Sequence, residues 1–294
     1  METLLQLLLS GVLLGGVYAL AAMGLNLIFG VAKVVNFAHG EFLMAGMYAA
    51  FGLWTLLRVN PYVGAPITFA LGALLGALFY RGLIRHTIAR TEMTQVFATL
   101  GVSIAAQNVA LLLFSADYRS IKFLPASRES VHLLGLYVST TRLVSFGFAA
   151  LVIAGVMLFI RRTDTGKAIE AVSQDLSAAR LVGIDVDRVL LIACALGIGL
   201  TVMAGAVLLP TFYAFPTVGS SFVLVSFVVV VMGGLGNVAG TAAGGLLLGV
   251  IESVFGFFQP DLKEASHFIL LIALLAFVPH GLFGVKGSER EALK

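Results

Sequence analysis

The sequence predicts an all-α protein that crosses a membrane many times. Of its 294 residues, 60% are hydrophobic and only 11% are charged, whereas a soluble domain carries about 25% charged residues. So little charge cannot cover a globular surface of this size, and lipid must therefore surround most of the chain. The apolar residues form continuous runs rich in Leu, Ala and Gly, unlike the short alternating segments of a membrane β-barrel. We predict a polytopic membrane protein with about eight to nine transmembrane helices.

Nine apolar stretches are candidates for these helices, because a spanning helix needs about 20 mostly apolar residues. The stretches are residues 4–29, 42–57, 63–80, 96–114, 144–160, 189–209, 222–232, 238–258 and 268–283. The stretch 222–232 is too short to cross alone. It either dips into the membrane and returns, or crosses as a broken helix completed by the glycine-rich turn after it. We expect residues 1–294 to form a single membrane-spanning domain, with the first stretch retained because Glu2 stands where a signal peptide would be basic.

The distribution of Lys and Arg predicts the orientation of the chain. If all nine stretches cross, twelve of the eighteen Lys and Arg residues lie on one side and six on the other. Cytoplasmic connections are enriched in Lys and Arg. The bias therefore places the N-terminus outside and the C-terminus in the cytoplasm. The long connection 115–142 is then external, and the long connection 161–188 is cytoplasmic.

The sequence lacks several motifs that are typical of enzymes. Its Gly166–Lys167 pair lacks the upstream glycine of a phosphate-binding loop, and Ala168 follows where that loop needs a hydroxyl for magnesium. No HExxH, GxSxG or Cys/His cluster occurs, and the single cysteine, Cys194, lies in an apolar run. We therefore expect no ATPase activity, no other enzymatic activity, and no bound cofactor or metal.

The cytoplasmic connection 161–188 predicts two short helices. Capping side chains precede each of them: Thr163 or Asp164 before residues 167–174, and Asp175 or Ser177 before residues 176–182. Gly183 would end the second helix. The first helix carries an apolar stripe that would insert into a groove on a partner protein, formed by Ala168, Ala171 and Val172. The alternative is a plain surface loop.

A polar break separates the first two apolar stretches. Between residues 24 and 48 it carries Lys33, Asn36, His39 and Glu41. Irregular backbone at membrane depth is tolerated only where it is buried in protein or lines a water-filled cavity. The glycine-rich segment 232–240 is a comparable interruption in the second half, and paired interruptions mark the transport path in secondary transporters. By analogy the two segments indicate such a path; the alternative is that both are ordinary cytoplasmic turns.

Polar side chains within the apolar runs provide further candidates, because such groups are costly in a membrane and usually face a cavity or a partner. Glu252 has either a role in the path or a structural hydrogen bond between helices. His267 and His280 stand near the ends of stretches, where we expect them at the membrane interface. The candidate path residues are Asn26, Asn36, His39, Glu41, Asn108 and Glu252.

Glycines recur at a spacing that lets membrane helices approach closely. The sets are Gly11 and Gly15, Gly72 and Gly76, Gly236, Gly240 and Gly244, and Gly245 and Gly249. They predict either tight packing within this chain or a face toward a second membrane subunit.

Four segments carry a resemblance to a known family. The segment GLNLIFGVAKVVNFAHGEFLMAGMY, which begins at Gly24, resembles the signature of LivH-like permease subunits of branched-chain amino acid ABC importers. The segment GKAIEAVSQDLSAARLVGIDVDRV resembles their cytoplasmic coupling loop, and MGGLGNVAGTAAGGLLLGVIES and FVPHGLFG resemble their C-terminal segments. The match follows the expected order over essentially the whole chain. It departs at Glu170, where a basic residue is expected, and at His280.

The resemblance implies an inner-membrane permease subunit that carries leucine, isoleucine and valine. Its implied partners are a LivM-like second permease, two cytoplasmic ATPases that bind the ATP, and a periplasmic substrate-binding protein, with lipid around it and no nucleic acid. Asn36, His39, Gly40 and Glu41 would belong to the signature break, and Glu252 to an acidic position in the penultimate span. The coupling loop would contain Gly166, Lys167, Glu170, Asp175, Arg180, Gly183 and Asp185.

Other functions remain as alternatives. Relatives in such a family move urea, short amides or other small metabolites, since the binding protein selects the cargo. A stand-alone channel or secondary transporter would need charged residues within its spans to couple ion movement, and beyond Glu252 the stretches hold almost none.

Overall fold

The chain is almost entirely helical. The computed structural model describes residues 2–122, 130–133, 136–278 and 281–282. The first half contains α1 (Glu2–Ala32), α2 (His39–Leu57), α3 (Pro61–Phe79), a π-helix (Tyr80–Ile84), α4 (Arg85–Thr87), α5 (Glu92–Phe114), β1 (Ser130–Leu133) and β2 (Leu136–Ser139). The second half contains α6 (Thr140–Arg162), α7 (Asp164–Gln174), α8 (Leu176–Leu181), α9 (Val186–Leu208), α10 (Val218–Gly233), α11 (Val238–Phe258), a 3-10 turn (Pro260–Leu262) and α12 (Lys263–Phe277).

Each of the nine predicted stretches contains a helix, although in the stretch 268–283 the helix α12 ends at Phe277. Within the described ranges, seven helical segments are long and apolar enough to cross a membrane: α1, α2, the continuous segment Pro61–Thr87, α5, α6, α9 and α11. Helices α10 and α12 are apolar but shorter, at 16 and 15 residues. The prediction of an all-α polytopic membrane protein is therefore confirmed.

Two helices form the centre of the bundle. In the most apolar 18 residues of α1 and α9, 89% and 78% are buried, against 17% for α5 and 11% for α6. Helices α5 and α6 therefore present most of their apolar surface outward. For a membrane protein, that outward surface must meet lipid or another apolar protein surface.

The spaced glycines bring helices of this chain together. A Cβ atom added to Gly15 would lie 2.5 Å from the carbonyl oxygen of Gly245. A Cβ atom added to Gly249 would overlap the carbonyl oxygen of Gly11. A Cβ at Gly72 on α3 would lie 2.6 Å from the Cβ of Val202 on α9. Only small residues allow backbones this close. At these positions the glycines pack α1 against α11 and α3 against α9, so packing within the chain, the first of the two predicted alternatives, is found there.

Opposite ends of α6 define two sides of the molecule. On one side, here called the hairpin side, β1 and β2 form an antiparallel hairpin. On the same side Arg119 and Ala214 exchange two backbone hydrogen bonds of 2.9 and 2.8 Å, and the Arg119 guanidinium lies over the rings of Phe51 and Phe114. On the other side, the α7–α8 side, α7 and α8 follow directly after α6.

Candidate functional site

Helix α2 begins deep inside the bundle. The chain leaves α1 at Ala32, reverses at Lys33, which has a φ of +53°, and returns alongside α1. The Nε2 atom of His39 is hydrogen-bonded to the carbonyl of Ala21, at 3.1 Å. Ala21 stands eleven residues before the end of α1, or about 16 Å at 1.5 Å per residue. The predicted break is therefore a segment that runs back into the interior of the bundle.

The side chain of Asn36 shapes this re-entrant segment. Its Oδ1 atom accepts a hydrogen bond from the backbone N–H of Ala38 at 3.0 Å, and its backbone carbonyl accepts one from His39 at 3.2 Å. Asn36 and His39 are both buried. Together their contacts fix the point at which α2 starts, against the middle of α1.

Helix α10 begins at the same place. A Cβ atom added to Gly40 would overlap the carbonyl oxygen of Gly219, and one added to Gly219 would lie 2.6 Å from the carbonyl carbon of Gly40. The two helix N-termini therefore abut through a pair of glycines. Each N-terminus carries a partial positive charge of about half an elementary charge. Two such ends meeting in the protein interior favour a negative group beside them.

Glu41 supplies that negative group. It lies in the first turn of α2 and is only 4% exposed. Its Oε1 atom accepts hydrogen bonds from Ser103 Oγ at 3.0 Å and from Gln107 Nε2 at 2.7 Å, both on α5. Gln107 Nε2 also donates to Ser220 Oγ at 3.2 Å. We call Glu41, Ser103, Gln107 and Ser220 the Glu41 cluster; it connects α2, α5 and α10.

A cavity of about 380 Å³ lies between α2 and α5, next to the Glu41 cluster. This volume is within the range of about 300–1,000 Å³ typical of small-molecule sites. Its wall is formed largely by apolar side chains, among them Phe42, Ala45, Leu75, Ala106 and Val109. Among the described residues that line it, Glu41 is the only Asp, Glu, Lys, Arg or His. The cavity can therefore hold a small solute with an apolar part and one group that pairs with a carboxylate.

The second predicted interruption packs against α1. The chain turns between α10 and α11 through Gly234 and Gly236, whose φ angles are +88° and +82°. The backbone N–H of Gly236 donates to Asn26 Oδ1 at 2.7 Å. A Cβ atom at Gly30 would lie 3.0 Å from the Cα of Gly236. Asn26 thus holds this turn against α1. Neither Asn26 nor the turn belongs to the Glu41 cluster.

Glu252 belongs to a different polar group. It is 1% exposed and accepts a hydrogen bond from Tyr18 Oη at 3.2 Å, while its other oxygen lies 3.1 Å from His267 Nε2. This triad joins α1, α11 and α12. The side chain of His267 turns inward to Glu252 and is 6% exposed. Its position at the membrane interface stays a prediction. His280 lies outside the described residues.

Of the six candidate path residues, only Glu41 lines the cavity. Asn36 and His39 lie in the re-entrant segment before Glu41, whereas Asn26 and Glu252 contact other elements. Asn108 is exposed, and its Nδ2 donates to the carbonyl of Ile104 in its own helix. The six path candidates did not include Ser103, Gln107 or Ser220, although Gln107 stands out in the sequence as a polar residue within an apolar run. The spacing of Ser103 and Gln107, four residues apart on one face of a helix, was the signal that could have paired them.

The connection 161–188 has the predicted helix pair. Thr163 Oγ1 accepts from the N–H of Gly166 at 3.0 Å and caps α7. Asp175 Oδ1 caps α8 by accepting from Ser177 and Ala178 at 2.8 and 2.9 Å. Gly183 ends the pair with a φ of +88°, a left-handed conformation that glycine adopts without steric cost.

Other residues of the loop connect the pair to the spans. Asp185 Oδ1 caps α9 by accepting from Arg188 at 3.1 Å. A Cβ atom at Gly166 would overlap the carbonyls of Phe159 and Ile160 at the end of α6. Gly166 and Asp185 thus fix the loop to α6 and α9.

The apolar stripe of α7 does not point outward. Val172 is 2% exposed, Ile169 is also buried, and Ala168 and Ala171 are partly covered. The stripe packs against other helices of this chain, so the prediction that it inserts into a partner's groove is wrong. Within the connection 161–188, the exposed large apolar residues are Leu181 and Val182, at 89% and 77%. Lys167, Glu170 and Arg180 are also exposed.

Residues 7–278 match the family described as branched-chain amino acid transport system / permease component. The chain belongs to this family. It is 32% identical to the high-affinity branched-chain amino acid transport system permease protein BraD of Pseudomonas aeruginosa, over 97% of each chain. It is 31% identical to LivH of Escherichia coli, again over 97% of each. It is 22% identical to a probable permease protein LivM of Methanocaldococcus jannaschii, over 92% of this chain and 91% of that one.

No solved structure matches this permease. The family is one of transport permeases, which agrees with the prediction of a membrane transport subunit. The cavity beside Glu41 is therefore a candidate for a solute site in a transport protein.

Proposed function

We propose that this permease is the membrane subunit of an ABC importer that carries branched-chain amino acids across the inner membrane. The observation that carries the proposal is the identity of about 31% over nearly the full length of BraD and LivH, both named as high-affinity branched-chain amino acid permeases. Residues 1–294 then act as one permease domain with a cytoplasmic C-terminus. Urea, a short amide or another small metabolite is the alternative cargo.

The energy for transport would come from other subunits. Two cytoplasmic ATPases would bind the ATP, and a periplasmic binding protein would deliver the substrate to the hairpin side. The similarity to LivM supports a second, related permease in the same complex. This chain itself would bind no cofactor.

The transport path would pass Glu41. The cavity between α2 and α5 would be completed by the second permease rather than by the bilayer. Asn36, His39 and Asn26 would hold the two interrupted segments in place around it. Asn108, on the outward face of α5, would face the subunit that covers this helix, and Glu252 would tie α11 to α1 and α12.

Purification of the complex tests the proposal. The tagged chain would be extracted gently from its native membrane and its companions identified by mass spectrometry. We expect two P-loop ATPases and a second permease to co-elute, and ATP-dependent uptake of leucine after reconstitution with the binding protein. A chain that elutes alone and carries solute into liposomes without ATP would contradict the importer and favour a channel or secondary transporter.

Leu181 provides a test of the coupling loop. Its exposed side chain would contact an ATPase, because burying it there would remove apolar surface from water. We expect Leu181→Asp to lower ATP-dependent uptake at least about tenfold, equal to ~1.4 kcal/mol of binding, without changing the thermal stability of the permease. The measurement is uptake and ATP hydrolysis in proteoliposomes.

The matched control for this test is Leu262→Asp. Leu262 is also exposed but lies at the hairpin end of α11, where no ATPase would dock. Equal uptake by the two variants would contradict the assignment of Leu181 to the ATPase contact.

A further inference from the structure

The cavity between α2 and α5 ends at a pair of stacked rings. Tyr48 and Phe114 both line the cavity, and their ring centroids lie 4.0 Å apart with the ring planes inclined by 8°. Along the two helices in the direction of the hairpin side, no described residue beyond Ala49 and Phe114 lines the cavity. The two rings therefore form its end wall, and a route along α2 and α5 to the hairpin side leads past them.

Arg119 holds Phe114 in this ring pair. Its guanidinium carbon lies 5.5 Å from the centre of the Phe114 ring and 5.2 Å from that of Phe51 on α2, and a cation is attracted to the face of an aromatic ring. Its Nη2 atom also donates a hydrogen bond to the backbone carbonyl of Phe114 at 2.8 Å. One side chain thus connects the end of α5 to α2, and the backbone pairing of Arg119 with Ala214 keeps that side chain in place.

Three features raise the free energy of this closed arrangement. Ser115, the residue after Phe114, has a φ of +60° and a ψ of −176°, a conformation that almost only glycine adopts and that recurs at switch regions. The buried atoms Oη of Tyr48 and Nε of Arg119 have no hydrogen-bond partner in the described part of the chain, which is also unfavourable. The contacts of Arg119 therefore offset a local strain. If they were lost, rotation at Ser115 would relieve that strain and separate Phe114 from Tyr48.

We propose that Arg119 is a positioning residue for transport. It holds Phe114 against Tyr48 and so closes the cavity toward the hairpin side; when Arg119 withdraws, the cavity opens there. That this opening admits the transported solute rests on the proposed function. The closure itself rests on the ring stack and on the contacts of Arg119.

The reactivity of a cysteine in the cavity measures the closure. Ala45 lines the cavity one turn before Tyr48, so all variants are made in an Ala45→Cys chain. The full-length chain, with any subunits that accompany it, would be placed in lipid nanodiscs and treated with a trimethylammonium methanethiosulfonate, a cation that lipid excludes. We expect Arg119→Leu to raise the labelling rate at least about fivefold, because the thiol reacts only while the rings are apart. Phe114→Ala should raise the rate as well.

A double variant shows whether Arg119 acts through Phe114. If it does, Arg119→Leu should add nothing to the labelling rate of Phe114→Ala, whereas effects that multiply would overturn the inference. The matched control is Lys122→Leu, which removes one positive charge from an exposed residue close to Arg119 in the chain and should leave the rate unchanged. An equal increase in this control, or an unchanged rate in Arg119→Leu, would also overturn the inference.

Cys194 distinguishes opening of the cavity from a general loosening of the bundle. This native cysteine on α9 is 1% exposed, and peptide mass spectrometry reports its modification in the same samples. We expect Cys194 to stay unmodified in every variant. A parallel increase at Cys194 would show that Arg119 only stabilises the bundle and would overturn the inference.

The labelling needs neither ATP nor the binding protein, so its outcome is independent of importer activity. A chain that purifies without ATPases, yet is labelled faster in Arg119→Leu and not in Lys122→Leu, would refute the importer and retain the closure by Arg119. A complete importer in which Arg119→Leu leaves the labelling rate unchanged would refute the role of Arg119 alone.

Discussion

Gly40→Ala should disrupt the junction between α2 and α10 and abolish most of the transport. The added methyl group would overlap the carbonyl oxygen of Gly219, and the α10 backbone at this point cannot rotate away as a flexible side chain could. Overpacking of this kind costs about 1–3 kcal/mol and sometimes more. The gain in helix propensity from Gly to Ala is only about 1 kcal/mol. We expect a net loss of stability and a displaced Glu41, one residue further along α2.

Gly52→Ala is the matched control, because it makes the same change on the same helix. A Cβ atom at Gly52 meets no atom within 4 Å. Thermal unfolding of the purified permease and uptake of leucine would be compared for the two variants. We expect Gly52→Ala to be at least as stable as the wild type. A Gly40→Ala permease of unchanged stability and uptake would show that the two helix starts do not need to touch.

The spans could be predicted because lipid imposes long apolar runs, but the start of α10 could not. Val218, Gly219 and Ser220 precede the apolar run, and the prediction began at residue 222. The helix starts four residues earlier because Gly219 packs against Gly40 inside the bundle. A contact between residues so far apart in the chain leaves no trace in local hydropathy.

The candidate site was predictable only in part, because contacts between residues far apart in the chain are not visible in the local sequence. Glu41 stood out as an acidic residue beside a polar break, but its bond to Ser103 joins residues 62 positions apart. The periodicity of α7 correctly indicated a covered face, yet it could not say whether this chain or a partner covers Val172. For His267, nearness to the end of an apolar run did not reveal the rotation of α12, which directs the ring to Glu252.

Glu252→Ala should destabilise the bundle more than any exposed substitution. It would leave the hydroxyl of Tyr18 and the ring Nε2 of His267 without the carboxylate that they contact at 3.2 and 3.1 Å. Removing one partner of a buried ionisable pair typically costs about 3–5 kcal/mol. We therefore expect a lower unfolding temperature in detergent and poor yield, with Glu252→Gln less affected because an amide still forms hydrogen bonds.

A triple variant separates a structural role for this triad from a role in transport. Replacing a buried polar group by apolar residues of similar size is often neutral or stabilising, so Tyr18→Phe, Glu252→Leu and His267→Leu together should restore the unfolding temperature. If the triad only ties α1, α11 and α12 together, that variant should also take up leucine at nearly the wild-type rate. A stable triple variant without uptake would instead show that Glu252 acts in the path. We expect the first result, because Glu252 is buried among these three helices and does not line the cavity beside Glu41.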